Sequence, residues 1–197
     1  LQQAGIDQAA LEDASGKIPH KQMMMLWQTM VTSSGDPGIG LKIAQAVPLS
    51  SFTLHAYAFL SSPNLEMGLK RVMRYQRLIH ETSQLTFEHN ENGGTIFHHL
   101  PGGAPLPRPA ADFLAMIWIR FSRTISPAHA APESAEFGHA KPKDLESYYT
   151  NFGENLFFSQ NRTAVSFSRK ALEFHNAQSD PVLGELMDNY ASKLLGG

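Results

Sequence analysis

"PAADFLAMIWIRFSRTIS", Pro109 to Ser126, decides the fold. At helical spacing Leu114, Trp118, Phe121 and Ile125 make one apolar stripe, while Phe113, Ile117 and Arg120 make a second. A helix that is apolar nearly all round is enclosed on most sides, so this one is predicted to be the central, most buried element. Arg120, lying on an apolar stripe, then needs a partner, because a buried unpaired guanidinium is costly.

Working outward, the loop "PGGAPLPRP" precedes this helix, and before it "QLTFEH" and "TIFHHL" flank "NENGG". Two alternating segments about such a turn signal predict a hairpin. Alternation sets Leu85, Phe87 and His89 on one face of the first strand, and Ile96, His98 and Leu100 opposite Thr95, Phe97 and His99 in the second. After the central helix, "ESAEFGH", "NLFFS" and "TAVSFSR" read as strands and "KDLESYYTNFG" as a short helix. Gln160-Asn161 predicts that the last two strands form a hairpin.

Towards the N-terminus the segments are mostly helical. "IDQAALEDASGKIPHKQMMMLWQTMVTSS" suggests two helices joined at Ser15-Gly16, with the methionines forming a pliable buried face. Asp36-Pro37 and Asp180-Pro181 both place an N-cap residue before a proline suited to the first helical position. "FTLHAYAFL", Phe52 to Leu60, fits strand or helix. "SSPNLEMGLKRVMRYQRLIHE" follows, with Ser62 as the expected cap, Leu65, Leu69, Val72 and Ile79 as the core stripe, and Glu66–Lys70 and Arg77–Glu81 as surface pairs. The expected class is α+β: a helical N-terminal part, then an antiparallel sheet of four to five strands with a buried central helix and a C-terminal helix, in a single domain, residues 1–197.

Composition restricts function. With 42% hydrophobic and 17% charged residues among 197, the chain has the profile of a soluble globular domain. A net charge of −2 argues against nucleic-acid or membrane binding by electrostatics alone. Zero cysteines exclude disulfides and thiol nucleophiles and fit a reducing cytoplasm. No apolar run reaches membrane-spanning length and no secretory signal opens the chain.

Reaction chemistry is hard to find. Phosphate-binding glycine loops, nucleophile elbows and H-E-x-x-H are all missing. The nine histidines follow no metal-ligand spacing, and adjacent His98 and His99 face opposite sides of a strand. Asp112, Glu133, Glu136 and Asp144 lie near element ends, where carboxylates cap helices or face water. Neither catalytic residues, nor a metal, nor a cofactor is expected. Polar groups among apolar walls suit a small-molecule pocket instead, and Arg120, Trp118, Tyr57, His55, His80, His98 and His99 are the candidates to line it.

"SGDPGIGLKI", "FTLHAYAFLSSPNLEMGLKRVMRYQRL" and "YYTNFGENLFFSQNRTAVSFSRKAL…SDPVLGELM", with "AGID", Ile18-Pro19 and Arg108-Pro109, occur in this order. The series resembles the N-terminal effector-sensing domain of the AraC/XylS family of bacterial transcription regulators, in the arabinose-binding-like branch that is not a cupin barrel. The resemblance implies a cytoplasmic sensor that binds a small-molecule effector. It also implies a helix-turn-helix DNA-binding domain beyond residue 197, which fits the cut look of both chain ends. The final helix, which joins the halves, is the expected lever. A homodimer suits a regulator, although no interface is marked. The alternative is a dimerisation or interaction module with no small ligand.

Overall fold

The computed structural model describes residues 5–7, 18–78, 84–103, 106–127 and 131–196, with the side chains at 77, 84, 99, 101 and 196 outside that description. Of the helix pair predicted about Ser15-Gly16, the second is present as His20–Ser34, while residues 8–17, with the first helix and the turn, lie outside the described residues, as do Ile79 and the Arg77–Glu81 pair. Helices α1 (His20–Ser34), α2 (Ile39–Ala46), α3 (Thr53–Leu60) and α4 (Leu65–Tyr75) come first. The hairpin β1 (Gln84–Asn90) and β2 (Gly93–His99), then α5 (Arg108–Ile125) and β3 (Ser134–Glu136), follow. The chain continues through α6 (Glu146–Phe152), β4 (Leu156–Phe157), β5 (Thr163–Ser168), α7 (Arg169–Glu173) and α8 (Pro181–Gly196). This is the expected α+β fold.

Helix α5 is the predicted centre, with Ala111, Asp112, Ala115, Met116, Ile117, Ile119, Phe121 and Ser122 among its buried residues. Its N-terminal turn lies against α2 so closely that a Cβ on Gly40 would sit 1.9 Å from the Pro109 carbonyl oxygen. Only glycine permits that approach. Segment 52–60, left open between strand and helix, is helical because it lies among α4, α5 and α8 and so buries several faces.

Two local expectations change. Asn64, not Ser62, caps α4: its Oδ1 accepts from Met67 N at 2.9 Å. The Ser62 hydroxyl is committed elsewhere, donating to Ala58 O at 2.8 Å and accepting from Arg71 Nη1 at 2.9 Å. Asp180 caps α8 as expected, accepting from Leu183 N at 2.9 Å. Asp36 accepts from Gly38 N at 2.8 Å, while the regular helix starts at Ile39.

The sheet has order β1-β2-β5-β3-β4. Its hairpin β1–β2 is as predicted, and Asn90 Oδ1 closes the turn by accepting from Asn92 N and Gly93 N, each at 2.9 Å. The predicted β4–β5 hairpin is not formed. β4 pairs with β3 in parallel, whereas β5 inserts between β2 and β3 and is antiparallel to both. Ser159 N and Gln160 N bond to the carbonyls of His139 and Phe137, so the chain after β4 stays on the β3 side instead of reversing.

One sheet face packs on α5. The other is roofed by Arg162, which donates to both oxygens of Glu136 (3.1 and 3.3 Å) and to Glu88. Its guanidinium lies 4.6 Å from the centre of the Phe97 ring, so an aromatic on the outer face is shielded by a cation rather than by a second layer.

Candidate functional site

Cross-strand register builds the most specific constellation. His98 lies directly opposite Thr163, and Ile96 opposite Val165, so these four share the face turned towards α5. Above them Ala115 and Trp118, one helical turn apart, complete a seam also lined by Ala164. Trp118 Nε1 donates to His98 Nε2 at 3.1 Å, and the two rings stack with centroids 5.9 Å apart. Accepting there fixes His98 as a neutral ring with its proton on Nδ1. The Thr163 hydroxyl is buried with no hydrogen-bond partner among the described residues. The seam is closed too tightly to admit a water molecule.

The other candidates are dispersed. Arg120 donates to the carbonyls of Ala44 and Val47, each at 2.5 Å, which meets its need for a partner at the C-terminal end of α2. His55 is buried on α3, its ring 6.5 Å from that of Tyr75, while Tyr57 is half exposed. His80 and the His99 side chain lie outside the described residues. Thus Trp118 and His98 are brought together, and Arg120, Tyr57 and His55 are not.

A second constellation escaped the sequence reasoning. Asp112, expected near an element end, is fully buried on α5. Tyr148 Oη, from α6, lies 2.8 and 2.7 Å from its two oxygens and donates its proton to this carboxylate. His139 Nε2 lies 3.0 Å away and Arg108 Nε 3.5 Å away. Burial, and then the Asp112 charge, push the Tyr148 phenol well above the ordinary tyrosine range. His139 Nδ1 also faces the Ala140 carbonyl at 2.9 Å. Asp112 itself is fully buried, and the cluster acts as a staple joining α5, α6 and the segment after β3. Arg108 and Asp112 at i,i+4 in an apolar helix were the available signal.

A third network joins α4 to α8. Arg71 bonds Ser62 and both oxygens of Asp188, Tyr75 donates to Asp188, and Arg74 reaches Ser192 at 3.4 Å. Burial is the main cause, and Asp188 the second, of a Tyr75 phenol pushed up to about 12. On the surface between α1 and the start of α5, an open groove of about 410 Å³ is lined mainly by Met24, Met25, Val31, Pro107 and Pro109. No helix among the described residues is long and apolar enough to cross a membrane.

The chain is similar, at 13% identity and a TM-score of 0.68, to the crystal structure of the transcriptional regulator CdpR from Pseudomonas aeruginosa. The likeness takes in 96% of this chain and 64% of that one, so the chain spans less than two thirds of this neighbour. No curated protein sequence matches. Residues 1–176 match the family described as "Arabinose-binding domain of AraC transcription regulator, N-term", a class of regulatory sensing domains and not of enzymes. The chain belongs to this family of AraC-regulator N-terminal domains.

Proposed function

We propose that this domain senses a small molecule bound between α5 and the β2–β5 pair, and that it passes the bound state to an attached DNA-binding domain in the bacterial cytoplasm. The observation that carries the site is the buried, unpartnered Thr163 hydroxyl beside the Trp118–His98 pair, within otherwise apolar walls. A lost hydrogen bond in a dry core costs about 1–3 kcal/mol, which a ligand with one polar atom would recover. The effector class is a compact, mainly apolar molecule with a single hydrogen-bonding group. Of the sequence candidates, Trp118 and His98 contact it, while Arg120 holds the end of α2.

Because the seam is closed, the ligand acts by favouring a conformation in which α5 stands off the sheet. α3 packs on both α5 and α8, and the Arg71–Asp188–Tyr75 network ties α8 to α4. Movement of α5 therefore has a packed route to α8, the lever towards the DNA-binding half.

A thermal-shift screen of the chain with small apolar acids, alcohols and amides tests this. Ligand at a hundred times its dissociation constant adds about 2.7 kcal/mol. The expected result is a saturable shift that is lost in Thr163→Val and Trp118→Phe variants which still fold. A shift that both variants retain would move the site elsewhere. Silence across the screen would favour the interaction-module alternative.

A further inference from the structure

Thr53 holds a backbone conformation that its side chain disfavours. Its φ of 43° and ψ of −119° lie where glycine is at ease and a β-branched residue is strained. The residue gains nothing there itself, being exposed, with no hydrogen bond to its hydroxyl among the described residues. Its flanks impose the strain. Upstream, Arg120 of α5 grips the Ala44 and Val47 carbonyls. Phe52, the last residue of the 3-10 turn Leu49–Phe52, sets its ring beside those of Phe113 and Phe121, also on α5, with centroids 6.3 and 6.0 Å away. Downstream, α3 begins at Thr53, and its Leu54 and Ala58 cluster with Met187 and Ala191 of α8. Thr53 is thus the joint between a segment gripped by α5 and a helix seated on α8.

We propose that Thr53 is a strained joint held bent by α5, and that its straightening carries the state of the seam to α8. The turn and α3 abut, and only the Thr53 dihedrals break the rod. In helical conformation Thr53 would join residues 49–60 into one helix, and the chain before Leu49 would leave its place under Arg120. The bent state therefore needs the grip of α5, and strain favours the straight one once that grip loosens. This trigger rests on the sensing reading above, in which a ligand moves α5 off the sheet. The joint itself needs no ligand. Straightening has a local signature, because the first amides of α3 would gain the i−4 carbonyls of the turn that the first turn of a helix lacks.

Hydrogen exchange of the chain without ligand, read by mass spectrometry over residues 44–48 and 53–57, tests the joint. Arg120→Met removes the grip and keeps an unbranched side chain. The expected result is exchange at 53–57 slowed at least about tenfold while 44–48 quickens. Thr53→Gly added to Arg120→Met leaves no strain to relieve, so it should return 53–57 to the original rate. Loss of a merely structural contact would quicken both segments; that result, or an unchanged rate at 53–57, would overturn the proposal. A second comparison stands even where Arg120→Met does not fold. Thr53→Gly should have a higher urea midpoint than Thr53→Ala, because alanine is the better residue in ordinary helical backbone and glycine in this one. The reverse order would also overturn the joint. No effector is added, so failure here leaves the sensing site standing, and a failed ligand screen leaves the joint standing.

Discussion

Replacing Asp112 with alanine should cost more than any surface change in this domain. The carboxylate is fully buried and accepts a proton from Tyr148 at 2.7–2.8 Å, with His139 at 3.0 Å and Arg108 at 3.5 Å. Alanine removes the one carboxylate of the cluster and leaves the Tyr148 phenol and the His139 ring facing a cavity. Arg108, about a quarter exposed, can turn to water and contributes little. Breaking a buried pair in this way costs about 3–5 kcal/mol. For a chain of this size that lowers Tm by roughly 6–20 °C. Urea denaturation gives the free energy directly. Tyr148→Phe alone should lose about 1.5–3 kcal/mol, the range for a hydrogen bond to a charged group. The double variant should lose less than the sum, with a coupling of about 1–3 kcal/mol. A loss below about 1 kcal/mol for Asp112→Ala, or strict additivity with Tyr148→Phe, would refute the staple.

Two further outcomes follow from the geometry. Gly40→Ala forces a methyl group onto the Pro109 carbonyl oxygen, in rigid backbone on both sides. It should cost at least about 4 kcal/mol or abolish folding, measured as the urea midpoint or the soluble yield; a loss under 1 kcal/mol would contradict the close crossing. Tyr75 bears on alkaline stability, since its folded pKa of about 12 stands above the ordinary 10.0. The folded state holds this proton more tightly, so the contribution is whole below pH 10 and is lost as pH rises towards 12. Tyr75→Phe should flatten the stability profile in that window, and an unaltered profile would show that Tyr75 is not the group responsible.

The parts of this fold legible in the sequence are those set by neighbours along the chain. The period of 109–126 marked a helix enclosed on most sides, and "NENGG" marked a hairpin, because both depend on local backbone and pattern. Arg120 announced its need for a partner without naming Ala44 and Val47, which lie far away in sequence. Ser62 was misread as a cap because its commitment to Ala58 and Arg71 is tertiary. The β4–β5 hairpin failed for a similar reason: a two-residue turn signal lost to the backbone bonds that hold 159–160 beside β3. At the candidate site, Trp118 and His98 were named separately, and only the β2–β5 register unites them with Thr163. Asp112 was discounted by position, although a carboxylate four residues after Arg108 in an apolar helix was a readable sign of an internal pair.

The strand order carries a consequence for how the chain is made. β5 is synthesised last of the strands yet stands third in the sheet, between β2 and β3. Until residues 163–168 have left the ribosome, the hairpin and the β3 segment have no shared partner, and each presents an open edge. A nascent chain that already holds the hairpin, α5 and β3 but not yet β5 therefore carries two unsatisfied ladders beside a long apolar helix, a combination that invites association with other chains. Closure also joins residues some seventy positions apart, which makes sheet completion a late and slow event. The seam, one wall of which is Thr163, Ala164 and Val165, waits on the arrival of that one strand.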